Sequence, residues 1–238
     1  MVNNHQCERC GRPHSGIFRA CADCLDLSGA EAYRQQQEEK AKASRQASLV
    51  ADWRRLVPTS YRQTDWNDPR LSSVCCDLAK NWWPAWDAEA RGLGIYGATG
   101  VGKSRAAWAI LTRLHFAGFS VLAVDAVAFA KAASSYNDDD KMTKYEARNL
   151  LRRVRNVKVL LLDDIGKEPS SPRTASEMHD LLNHRERECL PTIWTSERTG
   201  PELAAMFAQG NASSYADGII RRLRCGCKIY DATPMPNK

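Results

Sequence analysis

The sequence lacks any run approaching roughly 18 consecutive apolar residues, and its opening MVNNHQCERC lacks the charged-then-apolar order of a secretory signal. These absences predict a soluble, cytoplasmic protein with no membrane partner. A disulfide framework is also missing. Nine cysteines are present, but four fall in two Cys-x-x-Cys pairs and the rest follow no framework spacing, the pattern of metal binding in a reducing compartment. No internal repeat is present, and the net charge is only +6 over 238 residues. Its placement is uneven. Asp138 to Lys158 holds seven basic residues against four acidic, and Ile219 to Lys238 five against one. Such stretches suit a polyanionic partner or are simply a solvated face. With 43% hydrophobic and 26% charged residues, the chain can bury one ordinary core and a small satellite module.

The satellite begins in CERCGRPHSGIFRACADC, where ten residues separate Cys7 and Cys10 from Cys21 and Cys24. Two such pairs can converge four thiolates on one tetrahedral zinc, and so few apolar residues leave little else to fold around. Gly11 and Gly16 suit the tight turns. His14 is a spare ligand, expected at the surface. Ser28 to Leu56 follows without proline, and Ser28 and Glu31 fit a capping box. Glu31 to Ser48 is too polar for a core, so this stretch reads as a solvated helix or a partly disordered linker. The expected domains are a zinc module over 1–27, a helical linker over 28–56 and one larger domain over 57–238.

Pro58 to Leu71 reads as a loop carrying Tyr61 and Trp66. A helix is expected from Ser72 toward Ala90, interrupted at Pro84, with Trp82, Trp83 and Trp86 as packing anchors. Beyond it, short apolar runs alternate with helical stretches. Strands are predicted at Leu93–Tyr96, Ser120–Val124, Val157–Leu162, Thr192–Thr195 and Cys227–Tyr230. Helices are predicted at Gly102–Phe116, Val127–Ser134, Thr143–Arg155, Ala175–Cys189 and Pro201–Phe207. That alternation implies an α/β fold, a five-stranded, mostly parallel sheet flanked by helices.

Gly97-Ala98-Thr99-Gly100-Val101-Gly102-Lys103-Ser104 matches G-x-x-x-x-G-K-S between a predicted strand and a predicted helix. Backbone N–H groups there would wrap the phosphates of ATP, Lys103 would reach the β- and γ-phosphates, and Ser104 would ligate magnesium. The strand in VKVLLLDDIG ends on two carboxylates. Asp163 is expected to hold the magnesium and Asp164 to orient or deprotonate the attacking water. In PTIWTSERTG, Ser196 or Thr195 is the candidate γ-phosphate sensor, with Ser196 preferred in the nucleotide set, and Glu197 is expected to turn away because a carboxylate repels phosphate. Arg221, Arg222 and Arg224 lie on a short helix before the last strand, where one could reach a neighbouring subunit's γ-phosphate.

GLGIYGATGVGKS, VLLLDDIGKE, LLNHRERECLPTIWTSE and VPTSYRQTDW together resemble the AAA+ core and leading segment of the DnaC/DnaI-type replicative helicase loaders and the related IstB-type transposition helper ATPases. The resemblance implies a slow, DNA- or partner-stimulated ATPase that binds a hexameric replicative helicase through its N-terminal region and single-stranded DNA through the AAA+ domain. It implies self-assembly through the ATP interface, with Arg222 matching the arginine finger by position and Arg221 second. The stretch from about Ala126 to Lys144 corresponds to the clade's element for oligomerisation and DNA contact. The compact build fits a phage or mobile element. The chain departs from that family at Glu197, where Asn is usual, and in YDATPMPNK, which has no arginine. Two other readings are a transposition helper acting on duplex DNA, and a zinc-bearing DNA-binding adaptor that does not hydrolyse ATP.

Overall fold

A short antiparallel ribbon brings the first cysteine pair toward the second. Its strands are β1 (His5–Gln6) and β2 (Pro13–His14), paired His5 to His14 and Gln6 to Pro13. The computed structural model describes residues 5–14, 19–82, 92–169, 171–209, 213–225 and 227–233, and the chain divides into two units, Met1–Asp52 and Trp53–Lys238. In the first unit the ribbon is followed by α1 (Ala22–Leu56), whose residues 31–48 are all exposed. This long polar stretch is helical rather than a linker without structure. It starts earlier than the capping-box signal suggests, so Ser28 lies inside the helix. The second cysteine pair sets the start: the Cys24 N–H donates to the Cys21 carbonyl, and Asp23 places its charge in the first turn, where the helix dipole favours an anion.

In the second unit, a 3-10 turn at Thr59–Tyr61 leads to α2 (Ser73–Asn81), capped by the Ser72 hydroxyl on the Cys75 N–H. Trp82 is buried just beyond it. The remainder of the predicted helix, with Trp83, Pro84 and Trp86, lies outside the described residues. Then come β3 (Gly92–Tyr96), α3 (Lys103–Phe116), β4 (Val121–Asp125), α4 (Ala126–Ser134), α5 (Lys141–Asn156) and β5 (Val159–Ile165). The chain continues through α6 (Pro172–Arg187), β6 (Thr192–Ser196), α7 (Gly200–Phe207), α8 (Ser213–Arg224) and β7 (Cys227–Asp231). Strand order is β4-β5-β6-β3-β7, and every adjacent pair is parallel.

The near-continuous apolar strands are explained by two cores, one on each face. Leu160 and Leu162 of β5 join α4 to α8 on one side, while Val159 and Leu161 join α2 and α3 on the other, as the two-residue period of a strand requires. β5 extends to Ile165, so Asp163 and Asp164 lie within the strand. Its register against β6 shifts between Leu162 and Ile165, a bulge that re-aims side chains at a strand end.

One buried charge fastens the far end of this sheet. Arg185 on α6 is 1% exposed, and its guanidinium donates to the carbonyls of Val154, Val157 and Pro191 and to the Thr192 hydroxyl at 2.6–2.9 Å. No carboxylate faces it within ion-pair distance among the described residues. Arg185→Leu removes this donor from the Val154 and Val157 carbonyls and leaves the Pro191 carbonyl with the Leu160 N–H, and it should lower unfolding stability by roughly 3–5 kcal/mol in denaturant titration; a cost near zero would show that the carbonyls find other donors.

Candidate functional site

The phosphate loop runs from the end of β3 to the first turn of α3. At Gly102 φ is +94°, and a Cβ there would lie 2.8 Å from the Arg70 carbonyl, so only glycine admits the leading segment this close. That segment is stapled down by Asp68. Its buried carboxylate accepts from Arg70 at 2.6–2.7 Å and from Arg105 at 3.4 Å, and these partners, Arg70 first, hold it at about 2. Arg105 also donates to the Ser60 carbonyl and the Thr64 hydroxyl, both at 3.1 Å. Tyr61 stacks on Trp108 with ring centroids 5.6 Å apart. Tyr61, Arg70 and Arg105 wall one side of an open cavity of about 330 Å³ over the loop.

Lys103 is 5% exposed, and its ammonium donates back to the carbonyls of Gly97 at 3.0 Å and Ala98 at 2.8 Å. Burial pulls its pKa down, so an anion arriving in the cavity meets a cation that water hardly screens. Ser104 Oγ donates to Asp163 Oδ1 at 2.8 Å. Burial pushes the Asp163 carboxyl up, against the hydrogen bonds from Thr195 and Ser104. A hydroxyl and a carboxylate oxygen side by side at the mouth of the loop are the hard oxygen donors that suit magnesium. Asp164 stands at φ +60°, unusual for a residue with a side chain. Its backbone N–H donates to Thr195 Oγ1 at 2.9 Å, and its carboxylate faces the cavity. Lys103, Ser104, Asp163 and Asp164 are therefore gathered at one place.

The strand-end residues of β6 divide differently from expectation. Thr195 is fully buried and donates to Asp163 Oδ1 at 2.5 Å while accepting from Asp164. Ser196 faces away, as the next residue on a strand must, and its hydroxyl donates to the Ile165 carbonyl at 2.6 Å. Glu197 does not turn away. It lines the cavity, paired at 2.8 Å with Lys167, which also lies 3.1 Å from Asp164 Oδ2. The loop motif had no means to reveal Lys167, Arg70 or Tyr61; the only sequence signal for Lys167 was its closeness to the paired aspartates in DDIGKE.

Arg222 is not part of this cavity. Its guanidinium donates to Asn183 Oδ1 at 2.8 Å and the Gly218 carbonyl at 3.0 Å, lies 3.1 Å from His179 Nε2, and has Glu186 at 3.4 Å from Nε. Arg221 pairs with Glu186 at 3.1 Å and is 56% exposed.

In the first unit, the sulfurs of Cys7, Cys10, Cys21 and Cys24 all lie within 4.8 Å of one another, with Cys10 and Cys21 3.7 Å apart. Four thiolates about 2.3 Å from a tetrahedral zinc stand about 3.8 Å apart. The residues therefore fit the metal. A backbone N–H from Cys21 is the chief reason the Cys7 thiol is held near 6, and its neighbours' sulfurs push Cys24 upward. The His14 side chain lies outside the described residues. Cys21→Ser should release one equivalent of zinc, read with a colorimetric chelator, and leave nucleotide binding unchanged; a variant that retains its metal would show that four thiolates are not what holds it.

The IstB-like ATP binding protein family matches residues 23–233 of this chain. The chain belongs to that family. No curated protein matches it. Among solved structures this family member is similar to DnaI, at 24% identity and a TM-score of 0.62, over 74% of this chain and 94% of that one. It is similar to the DnaC helicase loader, at 20% identity and a TM-score of 0.56, over 73% and 99%. It is also similar to a protein of Streptococcus pyogenes serotype M3 described as a candidate primosome component, at 25% identity and a TM-score of 0.55, over 74% and 88%. Among the described residues, no helix is long and apolar enough to cross a membrane.

Proposed function

We propose that this IstB-like protein is an ATP-hydrolysing loader of a hexameric replicative helicase. The observation that carries the reading is that Lys103, Ser104 and Asp164 line one cavity, with Asp163 hydrogen-bonded to Ser104 beside it, in a chain whose fold is that of DnaI and the DnaC helicase loader. The loop amides and Lys103 bind the β- and γ-phosphates. Ser104 and Asp163 would hold magnesium, which neutralises phosphate charge when bound. Asp164 orients a water whose oxygen forms a bond to the γ-phosphorus as the bond to the bridging β-oxygen breaks. That electron pair leaves on ADP, and the water's proton passes through Asp164 to the inorganic phosphate. A neighbouring subunit supplies Arg222, so turnover is slow until subunits assemble.

Single-stranded DNA is read by the AAA+ domain. The α5 arginines Arg148, Arg152 and Arg155 line one groove with Tyr136, and Arg148 and Arg173 lie 4.7 and 4.9 Å from the Tyr136 ring centroid. Val127, Met142 and Tyr145 stand exposed nearby in sequence and suit the subunit or helicase contact. The zinc module, with three arginines against two acids between Cys7 and Cys24, is nearly neutral and suits protein better than DNA. Size-exclusion chromatography with the host's replicative helicase should show co-elution in ATP; separate peaks under every nucleotide condition reject the loader. The family match itself supports a second reading, a transposition helper on duplex DNA. Tighter binding to duplex than to single strands at matched salt would select it.

A further inference from the structure

The cavity contains a carboxylate that a phosphate site should exclude. Glu197 lines it beside Lys103, Ser104 and Thr99. The neighbouring ammonium of Lys167 resolves the conflict, 2.8 Å from Glu197 Oε1 and 3.1 Å from Asp164 Oδ2. An ammonium has three N–H donors, so among the described residues these two contacts leave one. Lys167 first, with a hydrogen bond from Thr99, lowers the Glu197 pKa, and Glu197 first raises that of Lys167.

The pair is mounted on a stitched frame. Ser196 Oγ donates to the Ile165 carbonyl at 2.6 Å, Arg198 Nε to the Gly166 carbonyl at 3.0 Å, and the Gly166 N–H to Glu168 Oε2 at 2.6 Å. Gly166 has φ +102°, and a Cβ there would fall 2.8 Å from Arg198 Cδ and 3.0 Å from Leu203 Cδ2. The ends of β5 and β6 are thus locked at the turn from which Lys167 extends. A merely superficial ion pair would have no reason for such a mount, and would add little to stability.

We propose that Lys167 contacts the γ-phosphate of ATP within its own subunit, with Glu197 as its positioning residue, so that the pair distinguishes ATP from ADP. It takes the place of a neutral strand-end sensor. Only the triphosphate presents an anion to the third N–H, and drawing the ammonium toward it loosens its hold on Asp164. The proposal rests on the ATP reading above.

The test is binding of fluorescent ADP and a non-hydrolysable ATP analogue, with magnesium, to the full chain. Lys167→Met should weaken the ATP analogue roughly 10- to 100-fold, the loss of one hydrogen bond to a charged group, and leave ADP where it was. Lys167→Arg should restore the preference, and Glu197→Gln should lose part of it. Equal weakening of both nucleotides, or no change in either, overturns the role of Lys167 while leaving the ATP site standing. If the unaltered chain binds neither nucleotide, the ATP reading falls, and this proposal with it.

Discussion

Lys103→Ala is expected to lower ATP turnover by roughly 10²- to 10³-fold, measured as phosphate release with DNA and partner present. The size follows from where the ammonium sits. Lys103 is 5% exposed and, among the described residues, its ammonium donates to the Gly97 and Ala98 carbonyls alone, so its charge acts in a medium that screens weakly. Charge accumulates on the phosphoryl oxygens as the terminal bond opens, and no other described cation lies on the loop itself. Arg70 and Arg105 are committed to Asp68. Equal rates for the variant and the unaltered chain would favour the adaptor, in which nucleotide is a structural ligand and nothing is hydrolysed.

Replacement of Arg222 by alanine should have the larger effect on the assembled protein, about 10³-fold or more in stimulated turnover, the usual contribution of an arginine supplied across an interface. The isolated chain should bind ATP as before. Arg222 already has partners within its own subunit, and Asn183 and the Gly218 carbonyl hold its guanidinium in a set direction on α8. On the proposed function, meeting a neighbour's phosphate would exchange the Asn183 and His179 contacts for phosphate oxygens. The variant therefore also loses some packing between α6 and α8, which a melting curve measures separately. Arg221→Ala is the comparison. Its exposed pairing with Glu186 predicts a small change in both rate and melting.

The strands were readable because a sheet covered on both faces needs unbroken apolar runs, and Leu160 to Leu162 satisfied that need from either side. The cysteine spacing likewise carried the sulfur cluster, since four ligands at that separation can close on one point. Reading failed where the answer depends on side-chain direction. Thr195 and Ser196 are equally polar, and only the strand's alternation sends one to Asp163 and the other to the Ile165 carbonyl. The charge of Glu197 alone sends it away from phosphate, whereas Lys167, distant in sequence, makes that charge tolerable. Ser28 and Glu31 formed a sound capping signal, but the second cysteine pair had already begun the helix at Ala22. Nothing in the Pro58–Leu71 loop singles out Asp68, and its role as a staple depends on Arg105, which the fold brings to it beside the neighbouring Arg70.

The central claim is that one subunit binds the triphosphate and its neighbour completes the site. Mixing the Lys103→Ala and Arg222→Ala proteins tests it most directly, because each is expected to be inactive alone yet to carry what the other lacks. Recovery of ATP turnover on mixing, absent from either protein by itself, is the result expected of a shared site. A mixture as inactive as its components, from proteins shown to co-assemble, would contradict it.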